Sequence, residues 1–415
     1  MTDKLYVILE NENLIRSSLR HLRALTGGAD LWLIGSPHFL PRVSSELSAC
    51  FDRVLEQADF STAALAERME AELGDRRPAR IRFLTDDESA ELVCCELQDH
   101  FGQPTYSTEQ VLPFVNKLAS KRALAGTGIR LPKHMLWDKQ KFATERVKYC
   151  HEVAELTGFP MIVKPIDRAA SMDVSRLENM TDLYRWANWC SSPKDRNTYE
   201  VDEFIDGELY HCDSLIQDGK VIWSNACRNL NPCLQFSAGL SIGAFTLPQD
   251  DPDAMAVRAM NARVLAALSP PDGATHMECF RLAGGELVFL EISARPPGGD
   301  MVGIYRYCVG IDLGTAHFVL RAHEPYRLEV AESTRFGGWA IHPCRPGRIT
   351  SVRIPPLRSE HDIKLSVAVG DVIETHSQNI VDRPAAEFWL YSEEFERVAE
   401  DCRTISQLQL CEVDN

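Results

Sequence analysis

Short apolar runs alternate with amphipathic stretches over the first hundred residues or so of the chain. KLYVILE, DLWLIG and RIRFLT read as strands, while LIRSSLRHLRAL and DESAELVCCELQDHF carry the 3.6-residue period of helices. That alternation predicts parallel β-α-β units, an α/β Rossmann-like layer over residues 1–108. Thr85 and Glu88 have capping-box spacing at the start of the last helix of this layer. No GxGxxG follows the first strand, where the turn reads ENENL, so dinucleotide binding by this layer is not expected.

From 109 to 325 strands and helices mix. Pro113 suits the first position of a helix running to Gly126, and a second helix from about Thr144 stops at Gly158, followed by the strand PMIVKP. A short strand near Val174, a helix over DLYRWANWC and a strand through TYEVDEFI come next. ELYHCDSLIQ and KVIWSNA form a hairpin about Asp218-Gly219. RNLNPCLQFSAGLSIGAFTLP has no clear period and reads as a long loop. After the helix DPDAMAVRAMNARVLAAL, a second hairpin, THMECFRLAGGELVFLEIS, turns at Gly-Gly. Residues 326–415 read as a small α+β tail with strands RFGGWAIHP, RITSVR and AEFWLY.

Composition narrows the function classes. A length of 415 residues suggests two or three domains, and 45% apolar with 25% charged residues is ordinary for a soluble globular protein. The net charge of −16 lacks the basic footprint that a phosphate backbone needs, so no nucleic-acid partner is expected. No apolar run approaches the roughly 20 residues of a membrane span, and MTDKLYVILENEN does not read as a signal peptide. The 13 cysteines are scattered without CxxC or Cys/His metal spacing, which reads as reduced thiols in a cytoplasmic protein.

The candidate chemistry starts from the second hairpin. Strand alternation places His276, Glu278 and Phe280 on one face of its first strand, and Glu291, Ser293 and Arg295 on one face of its second. Two carboxylates on adjacent strands repel unless a cation lies between them, and rigid oxygen donors suit Mg²⁺. Gly298 and Gly299, just after Arg295, expose backbone N–H groups that an anion can approach. Lys164 ends a strand ahead of IDRAASMDV, a loop of small residues with Arg168 and Ser171 that would make a phosphate cradle. Lys117 falls in the first turns of its helix, near the positive dipole end, beside Lys121 and Arg122. Taken singly, the carboxylate pair and Lys117 are more commonly solvated surface charges, and for Lys164 the two readings are about even.

Taken in order (Lys117, Lys164 with its loop, EVDEFIDGE, Glu278, then Glu291 with Arg295 and GG), these elements resemble the ATP-grasp superfamily. The resemblance implies an N-terminal pre-ATP-grasp layer, an ATP-grasp domain over 109–325 with a mobile lid at about 126–204, and a C-terminal α+β subdomain over 326–415 packed on the core. It implies that Lys117 and Lys164 hold ATP phosphates with Ser171 in the covering loop, that Asp202, Glu203, Phe204 and Ile205 receive adenine, and that Glu208 meets the ribose. Glu278 and Glu291 would bind two Mg²⁺ ions and Arg295 would stabilise phosphoryl transfer. His276 would act as proton acceptor or phosphate donor, and Gly298, Gly299 and Arg228 would face substrate. Two features depart from the pattern. Ser293 stands where many members have Asn, and Ala169-Ala170 replace the usual lid glycines.

Within the superfamily, GELYHCDSLIQDGKVIWSNACR and FLEISARPPGG resemble the carboxylate–amine ligases, a group that includes dipeptide-forming L-amino-acid ligases of antibiotic pathways. The partners implied are a small acid and an amino acid, and a homodimer stays open. Two alternatives also stay open: a ligase that loads an acyl group onto a carrier-protein thiol, and an ATP-binding module without catalysis. Retention of Lys117, Lys164, Glu278, Glu291 and Arg295 together weighs against the second.

Overall fold

A computed structural model describes residues 3–11, 14, 19–192, 194–329, 335–377 and 383–414. The first strand, Lys4–Leu9, pairs in parallel with Asp30–Gly35 and Arg80–Leu84, and Arg53–Glu56 completes a four-stranded sheet. Leu5, Val7 and Leu9 bury one face of the first strand and Tyr6 and Ile8 the other, as a parallel sheet covered on both sides requires. The turn ENENL lies partly outside the described residues.

The centre of the molecule is an eight-stranded antiparallel sheet. Its order is Leu287–Ser293, Gly273–Arg281, Glu208–Gln217, Lys220–Asn229, Ile242–Thr246, Phe336–Pro343, Pro384–Ser392 and Glu360–Leu365. The hairpin turn Asp218-Gly219 has φ of 52° and 70°, the left-handed pair that suits a tight antiparallel connection. The helix Pro252–Leu268, capped by Asp251, covers one face through Val257, Val264 and Leu268. Met301–Val309 and Leu313–Arg321 cover the other through Ile304, Tyr305, Leu313 and Leu320.

This topology corrects two expectations. The segment 228–248 is not one long loop, because Ile242–Thr246 is a central strand inside it. Its five residues include Gly243 and are mostly buried, so they carry no inside–outside period. Three strands of 326–415, Phe336–Pro343, Pro384–Ser392 and Glu360–Leu365, also join the central sheet through it, at Ile242↔Ile341 and Ala244↔Trp339, while Gly347–Val352 pairs with Val372–Ile373 and Cys411–Asp414 in a separate small sheet. Gly243 sits at φ +143°, and a Cβ there would lie 2.0 Å from the Trp339 carbonyl oxygen. Gly243→Ala is expected to cost about 3 kcal/mol by urea unfolding; an unchanged midpoint would show that these strands do not approach so closely.

A third sheet, His134–Leu136, Tyr199–Glu203, Met161–Pro165 and Ser175–Leu177, is backed by the helices Lys139–Thr157 and Met180–Cys190. The first of these helices begins earlier than its pattern predicts: Asp138 caps it, and Glu145 kinks it near the expected start. The helix expected from Pro113 is likewise broken. Pro113 lies in a single 3-10 turn, and Asn116 caps a new helix at Lys117. No helix among the described residues is long and apolar enough to cross a membrane, and all 13 cysteines are free.

Candidate active site

The sheet register brings the candidate residues together. Glu278 lies directly opposite Glu291, and His276 opposite Ser293. The neighbouring strand continues both rows, with His211 beside Glu278 and Asp213 beside His276. Residues paired across antiparallel strands share a face, so one face carries the two rows Glu291–Glu278–His211 and Ser293–His276–Asp213.

Cations approach these rows from outside the sheet. Lys117 is the first residue of its helix, and its Nζ lies 3.4 Å from Glu291 Oε2 and donates to the Arg168 carbonyl at 2.6 Å. Burial opposes charge on Glu291, but Lys117 and Lys164 outweigh it and hold the carboxyl below its usual range. His276 Nε2 lies 3.3 Å from Glu278 Oε1. Glu278 and Glu291 supply hard oxygen donors on a rigid hairpin, a donor set that fits Mg²⁺.

Lys164 is placed differently from a free phosphate-binding cation. Its Nζ lies 3.1 Å from Asp202 Oδ2 and 3.4 Å from Glu200 Oε1. Lys121, whose side chain is fully buried, bonds both Asp202 oxygens at 2.6 and 2.7 Å and lies 3.0 Å from Glu200. Asp202 therefore turns into this four-charge cluster, whereas the family resemblance implied an adenine contact for it. Strand alternation is the reason, since Glu200 and Asp202 share a face that Glu203 does not. Burial opposes charge on Lys164, yet Asp202, Glu200 and Glu291 raise its pKa well above the usual value.

The other residues of the EVDEFIDGE segment are placed as follows. Glu203 faces Arg130, with oxygens 3.3–3.4 Å away, and accepts the Lys133 N–H at 3.0 Å. Phe204 stacks under the Arg176 guanidinium at 4.2 Å, and Ile205 is buried. Glu208 pairs with Arg228 and accepts from Tyr210 at 3.2 Å. Arg228, expected as a substrate clamp, is thus held by Glu208. In the covering loop Ala170, Ser171 and Asp173 have φ of 56–57°, glycine-like values adopted without glycine.

Arg295 meets the N-terminal layer. Its Nε lies 3.2 Å from Glu88 Oε2, its Nη1 donates to the Pro296 carbonyl at 2.8 Å, and Ser293 donates to the same Glu88 oxygen at 2.5 Å. The capping box at Thr85 and Glu88 is not formed. Asp87 caps the turn instead, and Glu88 is free to reach across to Arg295. Gly298 borders open space, whereas a Cβ on Gly299, at φ +67°, would lie 2.2 Å from the Trp339 ring.

Known proteins share this fold. The chain is 26% identical over 305 residues to the L-arginine-specific L-amino acid ligase of Bacillus subtilis, which spans 72% of each chain. It superposes along its whole length on the L-amino acid ligase of Bacillus licheniformis, with a TM-score of 0.70 at 14% identity and full coverage of both chains. The chain is thus similar in sequence and in fold to L-amino acid ligases. The biotin carboxylase domain of the Hydrogenobacter thermophilus 2-oxoglutarate carboxylase, a dimer in complex with MgADP and bicarbonate, shares the fold. It matches at a TM-score of 0.64 and 15% identity, covering 99% of this chain and 90% of that one. No family model matches the chain.

Two groups at this site escaped the sequence reading. Glu88 had a local explanation as a cap, and Lys121 read as a solvated neighbour of Lys117. Only the register and the packing of separate elements put them at the site. Below Arg295, Arg321 donates to the Ala294 carbonyl at 2.8 Å and pairs with the buried Glu91 at 2.9 Å. Burial pushes the Glu91 carboxyl up to about 7, with Arg321 opposing it. A folded-state value above the unfolded one, about 4.3, gives stability that is full at lower pH and lost as pH rises through 7. Glu91→Gln is expected to remove roughly 4 kcal/mol of that pH dependence between about pH 4 and 7. Urea midpoints across this range check it, and an unaltered slope would show that Glu91 stays ionised.

Proposed function

We propose that the protein is an ATP-dependent, ADP-forming ligase that joins the carboxyl group of a small acid or amino acid to the amino group of an amino acid. We further propose that it does so through an acyl phosphate, in the biosynthesis of a peptide natural product. The observation that carries this reading is the opposed pair Glu278–Glu291, with Lys117 beside it and Arg295 two residues past the end of the Glu291 strand. The likeness to the Bacillus subtilis ligase supports amino acids as substrates, and the MgADP complex of the biotin carboxylase domain supports Mg-ATP as the energy source.

On this reading each residue has a chemical task. A carboxylate is a poor electrophile, so its oxygen first takes the γ-phosphoryl group of ATP. Glu278 and Glu291 would hold Mg²⁺, which when bound offsets the charge that builds on the phosphate oxygens. Lys117 and Lys164 orient the phosphates under the loop that contains Ser171. The sheet bearing Lys164, together with residues about 126–204, would close as a lid and keep water from the acyl phosphate. Arg295, held in place by Glu88 and the Pro296 carbonyl, neutralises the oxyanion formed when the amine attacks and then the departing phosphate. Glu203, Phe204 and Ile205 would receive adenine, and Glu208 the ribose once Arg228 moves off it. A homodimer is the oligomer we propose.

The test is ADP and phosphate release from purified protein with Mg-ATP against pairs of amino acids and small diacids, with products followed by mass. Release that requires a pair, with a product lighter than the sum by one water, is expected. ATP binding without release for any pair would sink the reading.

A further inference from the structure

Asp213 is a fully buried carboxylate in the middle of the central sheet. Its Oδ1 lies 2.7 Å from His276 Nδ1, and its Oδ2 accepts from the Tyr305 hydroxyl at 2.5 Å and lies 3.3 Å from His211 Nε2. The surrounding groups are tied in turn. His211 Nδ1 meets Asn229 Oδ1 at 2.9 Å, and the Tyr305 hydroxyl meets Cys227 Sγ at 3.0 Å. Burying an ionised network of this kind is costly, and an apolar core of equal volume is often at least as stable. Stability is therefore a weak explanation for it.

Its geometry has one outlet. The side chains of His211 and Asp213 are 3% and 1% exposed, whereas His276 is 13% exposed and reaches the Glu278 edge. A carboxylate only accepts hydrogen bonds, so the 2.7 Å contact requires a proton on Nδ1 of His276. That leaves Nε2 as the nitrogen turned toward Glu278, 3.3 Å away. We propose that Asp213 is a positioning residue for the ligase reaction: it fixes the ring plane of His276 and its Nδ1–H, so that Nε2 is presented at the Glu278–Glu291 site. Tyr305 and His211 hold the Asp213 carboxylate in that orientation from the other side. This inference rests on the ligase reading above.

Asp213→Asn keeps the side-chain volume but lets an amide N–H face the ring, which disfavours the Nδ1–H form. It is expected to lower kcat about 100-fold with the KM for ATP within about twofold, as loss of an orienting carboxylate does elsewhere. In histidine-¹⁵N-labelled protein, the protected Nδ1–H signal of His276 should disappear. Combined with His276→Gln, it should add no further loss, because both changes remove one unit. Tyr305→Phe, which removes one hydroxyl, should lower kcat about fivefold and keeps the idea testable should Asp213→Asn fail to fold. Wild-type kcat in Asp213→Asn, or losses that multiply in the double variant, would overturn the proposal. So would a stoichiometric transition-metal ion retained through dialysis and lost in His211→Ala, since a metal on this cluster takes the place of the Nδ1 proton. Absence of ADP release by the wild type would instead defeat the ligase reading, and the Nδ1–H signal still tests the Asp213–His276 contact on its own.

Discussion

Arg295→Ala is expected to lower ADP release by about two to three orders of magnitude while ATP affinity changes by no more than about threefold. On the proposed ligase reading, the size follows from losing a donor aimed at charge that develops only in the transition state. Arg295 also anchors Glu88, so the variant leaves that carboxylate with Ser293 as its remaining partner. Arg295→Lys separates the two effects, because lysine keeps the charge but cannot bridge Glu88 and the Pro296 carbonyl together. Its activity should fall at least about tenfold. Single-turnover ADP formation and nucleotide titration check both, and wild-type turnover in Arg295→Ala would remove this residue from the mechanism.

Lys121→Met should have the largest effect on stability. Lys121 and Lys164 together balance Glu200 and Asp202 in a cluster closed to solvent. Removing one lysine leaves two carboxylates with a single cation, an imbalance that costs about 3–5 kcal/mol when buried. Lys164 would then be held more tightly by the acids and be less available to a phosphate, so the KM for ATP should rise as well. Asp202→Asn in the Lys121→Met background restores the charge balance and should recover part of both losses. Urea unfolding and ATP titration measure this. A single variant as stable as the wild type would show that water reaches the cluster.

The acid limb of stability has a cause in the same cluster. Burial opposes charge on Asp202, but Lys164 and Lys121 outweigh it and hold its carboxyl below the usual range. Its contribution is therefore present above about pH 4, the unfolded value, and lost as pH falls through the lower folded value.

The sequence by itself determined most of the elements and which charged side chains share a strand face. Strand–helix alternation announced the parallel layer, because burial on both faces forces continuous apolar runs such as LYVIL. The hairpin 273–293 was legible from its turn glycines, and the period of two placed His276 with Glu278 and Glu291 with Ser293. Tertiary structure alone decided what each charge faces. Whether Asp202 turns toward a nucleotide or toward Lys121 depends on which strand face packs on which helix, and a one-residue pattern of acids leaves this open. Glu88 and Arg295 are 207 positions apart, and Asp213 and His276 are 63 apart; no local period links them. Ile242–Thr246 was hidden for a related reason: a short strand buried between two others has no polar face to mark its period. Local propensity fixes where the chain bends and which side chains share a face. Pairing register and the packing of distant elements fix which of those faces meet, and the site is made where they do.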